Sequence, residues 1–481
     1  MRSSVARSID VAREAPERAR APDRVRAAPR AQPPLAQSLT LIAMSLGYGV
    51  VQLDVTIVNT ALSSIGASLD GGVAELQWVV NAYTITFAAL ILTAGALGDR
   101  LGARRVFMAG FVIFTAASLA CALAPTAALL IAARALQGIG AAVLVPNSLA
   151  LLRHAYADEK ARGRAVGIWA AGASLTLTAG PLAGGFLIAL VGWRSIFLVN
   201  LPIGLGALWL TWRYAHETTR ASEHELDLPG QAAAVGALGA LAGAIIEGGA
   251  RGWGDPSVLA SLAAALLLGA LFVLRERHVP QPMLPLSLFR NRLFSLTSLV
   301  GLLANIAVYG LIFVLSLYFQ QVKGLSPLAT GLAFVPMFGV VLPVNLIAPR
   351  AAERFGARAV IATGAVIAAA GCAALMPIGP ATPYWAIGLQ LAAIGGGLGL
   401  LVPPLTSTLL GSVEKSRAGV AAGVLNSTRQ TGSVLGVALF GSLLGQEGGL
   451  VIGARASLPI ATILLLVAAA AIALSRRSAA R

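Results

Sequence analysis

Asp54 is a carboxylate in the run Leu53-Asp54-Val55-Thr56-Ile57-Val58-Asn59-Thr60, inside a long stretch of otherwise apolar residues. A charge at bilayer depth is costly, so such residues generally face a cavity and carry function. Burial favours the neutral carboxyl, whereas a nearby cation or water favours the charged one. A group that alternates between those surroundings takes up a proton on one side and releases it on the other. The plainer reading is that Asp54 only hydrogen-bonds a neighbouring helix or snorkels outward; the rarity of intramembrane acids favours function. Two bases, Arg134 and Arg429, also fall inside apolar runs. Arg134 is a natural partner for Asp54 or its hydrogen-bond network. An unpaired guanidinium at the depth of Arg429 needs an anion, a carbonyl or water. Asn59, Gln137 and Asn305 are further candidates for the lining of a cavity. An asparagine such as Asn305 or Asn426 within a span is more often an interhelical hydrogen bond than a ligand.

The elements that must hold these groups are membrane spans. The chain has 481 residues, of which 57% are hydrophobic and 11% charged, with 53 glycines. A soluble domain carries about 25% charge, so this composition specifies an integral membrane protein. Runs of about 20 apolar residues number fourteen, near 38–61, 76–97, 106–124, 127–152, 164–190, 195–212, 229–248, 257–274, 293–318, 328–348, 358–376, 384–410, 418–444 and 456–474. The net charge of +15 could suggest nucleic acid, but its distribution points elsewhere. Eight of the 35 basic residues precede the first span, and 21 lie in loops that an even number of spans puts on the same side. Four lie opposite (Arg194, Arg251, Lys323 and Arg455). That bias places both termini in the cytoplasm of a multi-pass cell-membrane protein, with lipid and no nucleic acid as partner. Trp78, Trp193, Trp212, Trp253 and Trp385 sit at span ends, where an interfacial belt belongs. Cys121 and Cys372 read as small hydrophobes within spans and support no metal or redox motif.

Residues 1–37, rich in Arg, Ala and Pro, lack the apolar core of a secretory signal and read as a disordered cytoplasmic tail. An internal repeat organises the rest of the chain. Asp99-Arg-Leu-Gly102-Ala-Arg104 recurs as Glu353-Arg-Phe-Gly356-Ala-Arg358, Val145-Pro146 as Val402-Pro403, and Lys160-Ala-Arg162 as Lys415-Ser-Arg417. The offsets are 254, 257 and 255 residues, and two copies in the same order imply parallel halves related by an axis along the membrane normal. The expected division is a half at 38–212, a linker with an inserted two-helix hairpin at 213–292, a second half at 293–475 and a tail at 476–481. The fold class is therefore all-α, with fourteen transmembrane helices arranged as 6 + 2 + 6. The repeat fails at the charges: Leu391 stands opposite Arg134, and Asp54 has no acidic counterpart near Phe294. Charge handling is expected to belong to the first half. Glu247, close to the end of the first inserted span, reads as a loop-side acid that snorkels.

The turn between the second and third spans reads Gly95-Ala-Leu-Gly98-Asp99-Arg100-Leu-Gly102-Ala-Arg104-Arg105, where glycine permits a tight reversal. Asp99 can pair across to an arginine or cap the next helix, which makes the turn a latch that forms in one conformation and breaks in another. This spacing resembles the loop signature of the major facilitator superfamily of transporters. Arg134-Ala-Leu-Gln137-Gly138-Ile-Gly140 resembles that superfamily's fourth-helix motif, whose arginine is implicated in proton coupling. Gly167 with Gly180-Pro181-Leu-Ala-Gly184-Gly185 resembles its fifth-helix antiporter motif, with Thr176 as a mild departure. The block around Asp54, and Trp193-Arg194-Ser-Ile-Phe-Leu-Val-Asn200-Leu-Pro202-Ile-Gly204, are similar to the fourteen-helix drug:proton antiporters of the EmrB/QacA type.

The resemblance implies alternating-access export of small amphiphilic compounds against protons. Asp54 and Arg134 would couple the proton, Gly180 and Pro181 would bend the fifth span, and the loops with Arg100, Arg104, Glu353, Arg354 and Arg358 would latch the cytoplasmic side. It also implies a monomer and, in a Gram-negative host, a periplasmic adaptor protein. Export of one endogenous metabolite is the alternative, and proton-coupled import is less favoured because of the Gly-Pro block. His154, His216, His224 and His278 fall in loops, with no paired carboxylates or histidines in the bilayer, so a membrane enzyme is not expected. A non-transporting sensor on the same scaffold is disfavoured by the retention of Asp54 with Arg134. No nucleotide-binding P-loop is present, so the proton gradient and no cofactor would supply the energy. Charges within spans sum to +1, which weakens a preference for multivalent cations; neutral and weakly acidic amphiphiles fit equally well.

Overall fold

The computed structural model describes residues 33–218, 227–280, 282–414, 417–445 and 449–475. Most of the basic tail, the end 476–481, His224 and Lys415 lie outside the described residues. The long helices are α1 (Pro34–Leu69), α2 (Val73–Leu101), α3 (Ala103–Leu123), α4 (Ala127–Ala155), α5 (Glu159–Val191), α6 (Ser195–Tyr214) and α7 (Leu228–Arg251). They continue as α8 (Pro256–His278), α9 (Arg292–Val322), α10 (Pro327–Phe355), α11 (Ala357–Ala374), α12 (Tyr384–Gly411), α13 (Ala418–Leu444) and α14 (Gly449–Ala473). Thirteen of these are long and apolar enough to cross a membrane, so this is a multi-pass membrane protein. The remaining one, α13, is 27 residues long and interrupted by the polar run Asn426-Ser-Thr-Arg429-Gln430.

Residues 34–37, expected in the tail, already belong to α1, whose first helical position is Pro34. Proline is tolerated there because that N–H would lack an intrahelical partner anyway. The helix also runs eight residues past its expected end, burying Leu62 and Ile65 before Asp70 stops it in the left-handed region. In α10 the helix steps at Phe334, two residues before Pro336, which has no N–H to continue the ladder.

The two halves pack alike. α1 lies on α5 and α6, and both α2 and α3 lie on α4. In the second half α9 lies on α13 and α14, and both α10 and α11 lie on α12. Lipid supplies little hydrophobic drive between helices, so close backbone approach through small residues carries the packing. At the α3/α4 crossing a Cβ on Gly140 would meet Gly110 O at 2.9 Å. At the matching α11/α12 crossing a Cβ on Gly364 would meet Gly397 O at 2.5 Å. These glycines fall on the same offsets as the repeated motifs.

Two seams join the halves, α2 against α13 and α5 against α10. The hairpin α7–α8 packs on itself and leans on α2 and α13. At the face opposite the chain termini the halves are closed. Ser316 Oγ of α9 donates to Asn59 O of α1, and Gln321 Nε2 donates to Ser63 Oγ at 3.0 Å. Gln77 Nε2 donates to Val437 O and Ala438 O at 2.9 and 2.7 Å. Gly185 lies against Pro327 and Leu328, and Gly331 against Pro181. Towards the terminus-bearing face of α5, nothing lies within 4 Å of a Cβ built on Gly163 or Gly167.

Candidate functional site

Asp54 and Arg134 come together, as their types predict, and both are sealed inside the first half at 0% and 1% exposure. Arg134 Nη1 donates to Asp54 Oδ2 and, at 2.7 Å, to Gln137 Oε1; its Nε donates to Val79 O at 3.1 Å. Its guanidinium carbon also lies 4.3 Å from the centroid of the Tyr83 ring. Asp54 Oδ1 accepts from Gln137 Nε2 at 2.8 Å and from Asn200 Nδ2 at 3.4 Å. Ser118 Oγ accepts from both of those amides, at 2.8 and 3.1 Å. Five helices, α1, α2, α3, α4 and α6, thus contribute to one polar knot. A buried charge is tolerated only when paired and hydrogen-bonded, and here a guanidinium, two amides and a hydroxyl meet that demand.

A cavity of about 220 Å³ lies between the halves, lined from α1, α5, α9, α10, α12 and α13. Asn305 and Arg429 line it, as expected, together with Tyr48, Gln52, Tyr309 and Asn345. Asp54 does not, which corrects the expectation that an acid at this depth faces the cavity. Helix geometry gives the reason: at 3.6 residues per turn Asp54 points roughly 200° away from Gln52 and Thr56. Asn59 and Gln137 are also off the cavity, contrary to expectation. Asn59 lies where the far face is closed, its carbonyl held by Ser316 and its amide donating to Val55 O at 3.0 Å. Gln137 is committed to the knot. Arg429 Nη2 donates to Thr406 Oγ1 at 2.8 Å, so its partner is a hydroxyl rather than an acid.

The glycines of α5 bring that helix onto α1. A Cβ on Gly180 would overlap Thr56 Oγ1, and one on Gly184 would overlap Thr60 Oγ1. Thr56 Oγ1 donates to Leu177 O at 3.1 Å. Helix α5 runs on through Pro181. The floor of Gly95 is Pro146, and Gly98 lies against Asn147.

A second cavity of about 580 Å³ lies at the terminus-bearing face. Asp99, Arg153, Trp169, Asp227 and Met283 line it, and Asn426 borders both cavities. The loop after α2 turns at Gly102, φ 99°, and the one after α10 at Gly356, φ 86°, conformations that suit glycine. Arg104 reaches Thr211 O at 3.4 Å and Trp212 O at 2.6 Å, both within its own half. Arg100, Glu353 and Arg354 are exposed, and Arg358 Nη1 donates to Ser475 O at 3.2 Å. Glu217 is the unforeseen participant: its carboxylate accepts from the Arg104 and Arg105 N–H groups at 2.9 and 3.3 Å, capping α3. Trp193 also departs from expectation, being buried beside Phe197 with Arg194 over its ring. Trp212, Trp253 and Trp385 are exposed as a belt requires, and Glu247 pairs with Arg251 at 2.7 Å near the end of α7.

A family model described as "Major Facilitator Superfamily" matches residues 44–437. The chain belongs to that superfamily. This superfamily member is 39% identical over 405 residues to the methylenomycin A resistance protein of Streptomyces coelicolor, covering 84% of this chain and 85% of that protein. It is 39% identical over 409 residues to the multidrug resistance protein Stp of Mycobacterium tuberculosis, covering 85% and 76%. It is 32% identical over 415 residues to the tetracenomycin C resistance and export protein of Streptomyces glaucescens, again covering 85% and 76%. The names of these relatives are those of drug-resistance and export proteins.

Proposed function

We propose that this superfamily member exports small amphiphilic compounds in exchange for protons, by alternating access of the halves 38–212 and 293–475. In this reading both termini are cytoplasmic, so the closed far face is the outer one and the conformation faces inward. The protein works as a monomer in the cell membrane, and in a Gram-negative host it passes its cargo to a periplasmic adaptor. The observation that carries the reading is the Asp54–Arg134 pair, buried on one face of α1 while Gln52 and Thr56, on the other, line the cavity between the halves.

Substrate and proton therefore meet through α1 rather than at a shared atom. With Asp54 charged and paired, the knot is closed. Protonation removes the attraction to Arg134, releases α1 to shift against the glycine face of α5, and permits the return step. Moving one charge through the membrane potential is worth about 2.3 kcal/mol per 100 mV, which drives export. The Asp99 and Glu353 loops act as latches that engage when the cytoplasmic side closes, since rocking needs contacts made in one state only.

Asp54→Asn tests this. The variant is expected to insert normally, to lose resistance to toxic amphiphiles in expressing cells, and to lose substrate-triggered proton movement in vesicles. Normal resistance with normal proton movement would remove Asp54 from the mechanism.

A further inference from the structure

The central cavity carries one formal charge among the described residues that line it, and it is positive. Arg429 stands among the amides of Asn305, Asn345, Asn426 and Gln430. Ile312, Met337, Phe338 and Leu401 contribute apolar lining to the same cavity. Among the described residues Arg429 enters no ion pair: the pairs present are Arg105–Glu217, Arg134–Asp54, Arg251–Glu247 and Arg275–Asp227. The nearest intramembrane acid in kind, Asp54, is already held by Arg134, Gln137 and Asn200. The Thr406 hydroxyl occupies a single donor of a guanidinium that offers a fork of them. Asn345 Oδ1 and Gln430 Oε1 are buried and make no hydrogen bond with described residues.

From this arrangement we propose that the substrates of this cavity are acidic amphiphiles. Such a compound carries a carboxylate or ionised phenol for Arg429, hydrogen-bond donors for the Asn345 and Gln430 amides, and an apolar body for the lining at Phe338. Charge-assisted, bidentate hydrogen bonds between guanidinium and carboxylate are the strong ones, and they strengthen where the surroundings exclude water. A cationic amphiphile in the same place meets an uncompensated like charge. The inference rests on the exporter reading only in calling the ligand a substrate; the binding preference stands apart from it. The phenols of Tyr48 and Tyr309 line the same space and lie within the electrostatic reach of Arg429, so an anion also finds hydroxyl donors there.

The test is direct binding by fluorescence anisotropy to the purified full-length protein. The probes are three dansyl-labelled octyl chains ending in a carboxylate, a primary amide or an ammonium. The acid is expected to bind at least tenfold more tightly than the amide, and the ammonium more weakly still. Arg429→Gln is expected to bring acid and amide within threefold of one another, whereas Arg429→Lys keeps most of the preference. Equal affinities in the wild-type protein, a reversed order, or no binding of the acid would overturn the assignment. Proton-gradient-driven efflux of the same probes from proteoliposomes is read separately. Loss of gradient dependence with the acid preference intact would defeat the exporter reading and leave this inference standing.

Discussion

Breaking the buried pair from either side is expected to be expensive, and breaking it from both sides to cost no more than breaking it from one. Arg134→Met keeps an unbranched side chain of comparable reach but strands Asp54 where its exposure is 0%. Removing one partner of a buried ion pair costs about 3–5 kcal/mol. The low end applies, about 3 kcal/mol, because Gln137 Nε2 and Asn200 Nδ2 still donate to the carboxylate. Asp54→Asn leaves Arg134 with Val79 O, Gln137 Oε1 and the Tyr83 ring face, so a similar cost of about 3 kcal/mol is expected. The double variant carries no net buried charge. It should cost about 3 kcal/mol instead of the roughly 6 kcal/mol that additivity gives, a coupling near the top of the range seen for contacting residues. Unfolding by SDS in mixed micelles, followed by far-ultraviolet circular dichroism, measures all three. Single variants that each cost under about 1 kcal/mol and add simply would show that the two side chains do not share a sealed site, and the coupling argument would fall with them.

Gly180→Val is expected to separate α1 from α5, because its Cβ already collides with Thr56 Oγ1. Overpacking of this kind costs about 1–3 kcal/mol; efflux should fall, and Gly180→Val with Thr56→Ala should recover part of it. Glu217→Ala frees the Arg104 and Arg105 N–H groups at the start of α3, a lost cap worth about 1 kcal/mol. A thermal shift in detergent should register that loss, and Glu217→Gln should retain part of the cap.

The spans, their number and the repeat were legible because lipid imposes a simple demand: long apolar segments broken by glycine, proline and charge. Asp54 and Arg134 were legible for the same reason, as charges have no cheap place in such segments. Ser118 was not, since small polar residues are common between membrane helices; Asn200 was visible only as a member of the Trp193–Gly204 block, which gave it no place beside Asp54. Gln52 lay in view: Tyr48, Gln52 and Thr56 recur at a spacing of four on the face turned from Asp54, a periodic signal overshadowed by the acid. Asn59 has nearly the same angular position, but it sits at the depth where Ser316 closes the far face. Glu217 was hidden in a charged segment beyond α6, where its capping of α3 depends on a tertiary approach that no local pattern announces.

The inserted hairpin touches both halves at once. Gln231 Nε2 holds Ala89 O of α2 at 2.9 Å, while Gly249 lies against Ser442 of α13. Any rotation that separates those two helices must therefore drag α7 with one and shear it past the other. The molecule is for that reason mechanically lopsided: one flank is braced by an extra strut, and the flank along α5 and α10 has none among the described residues.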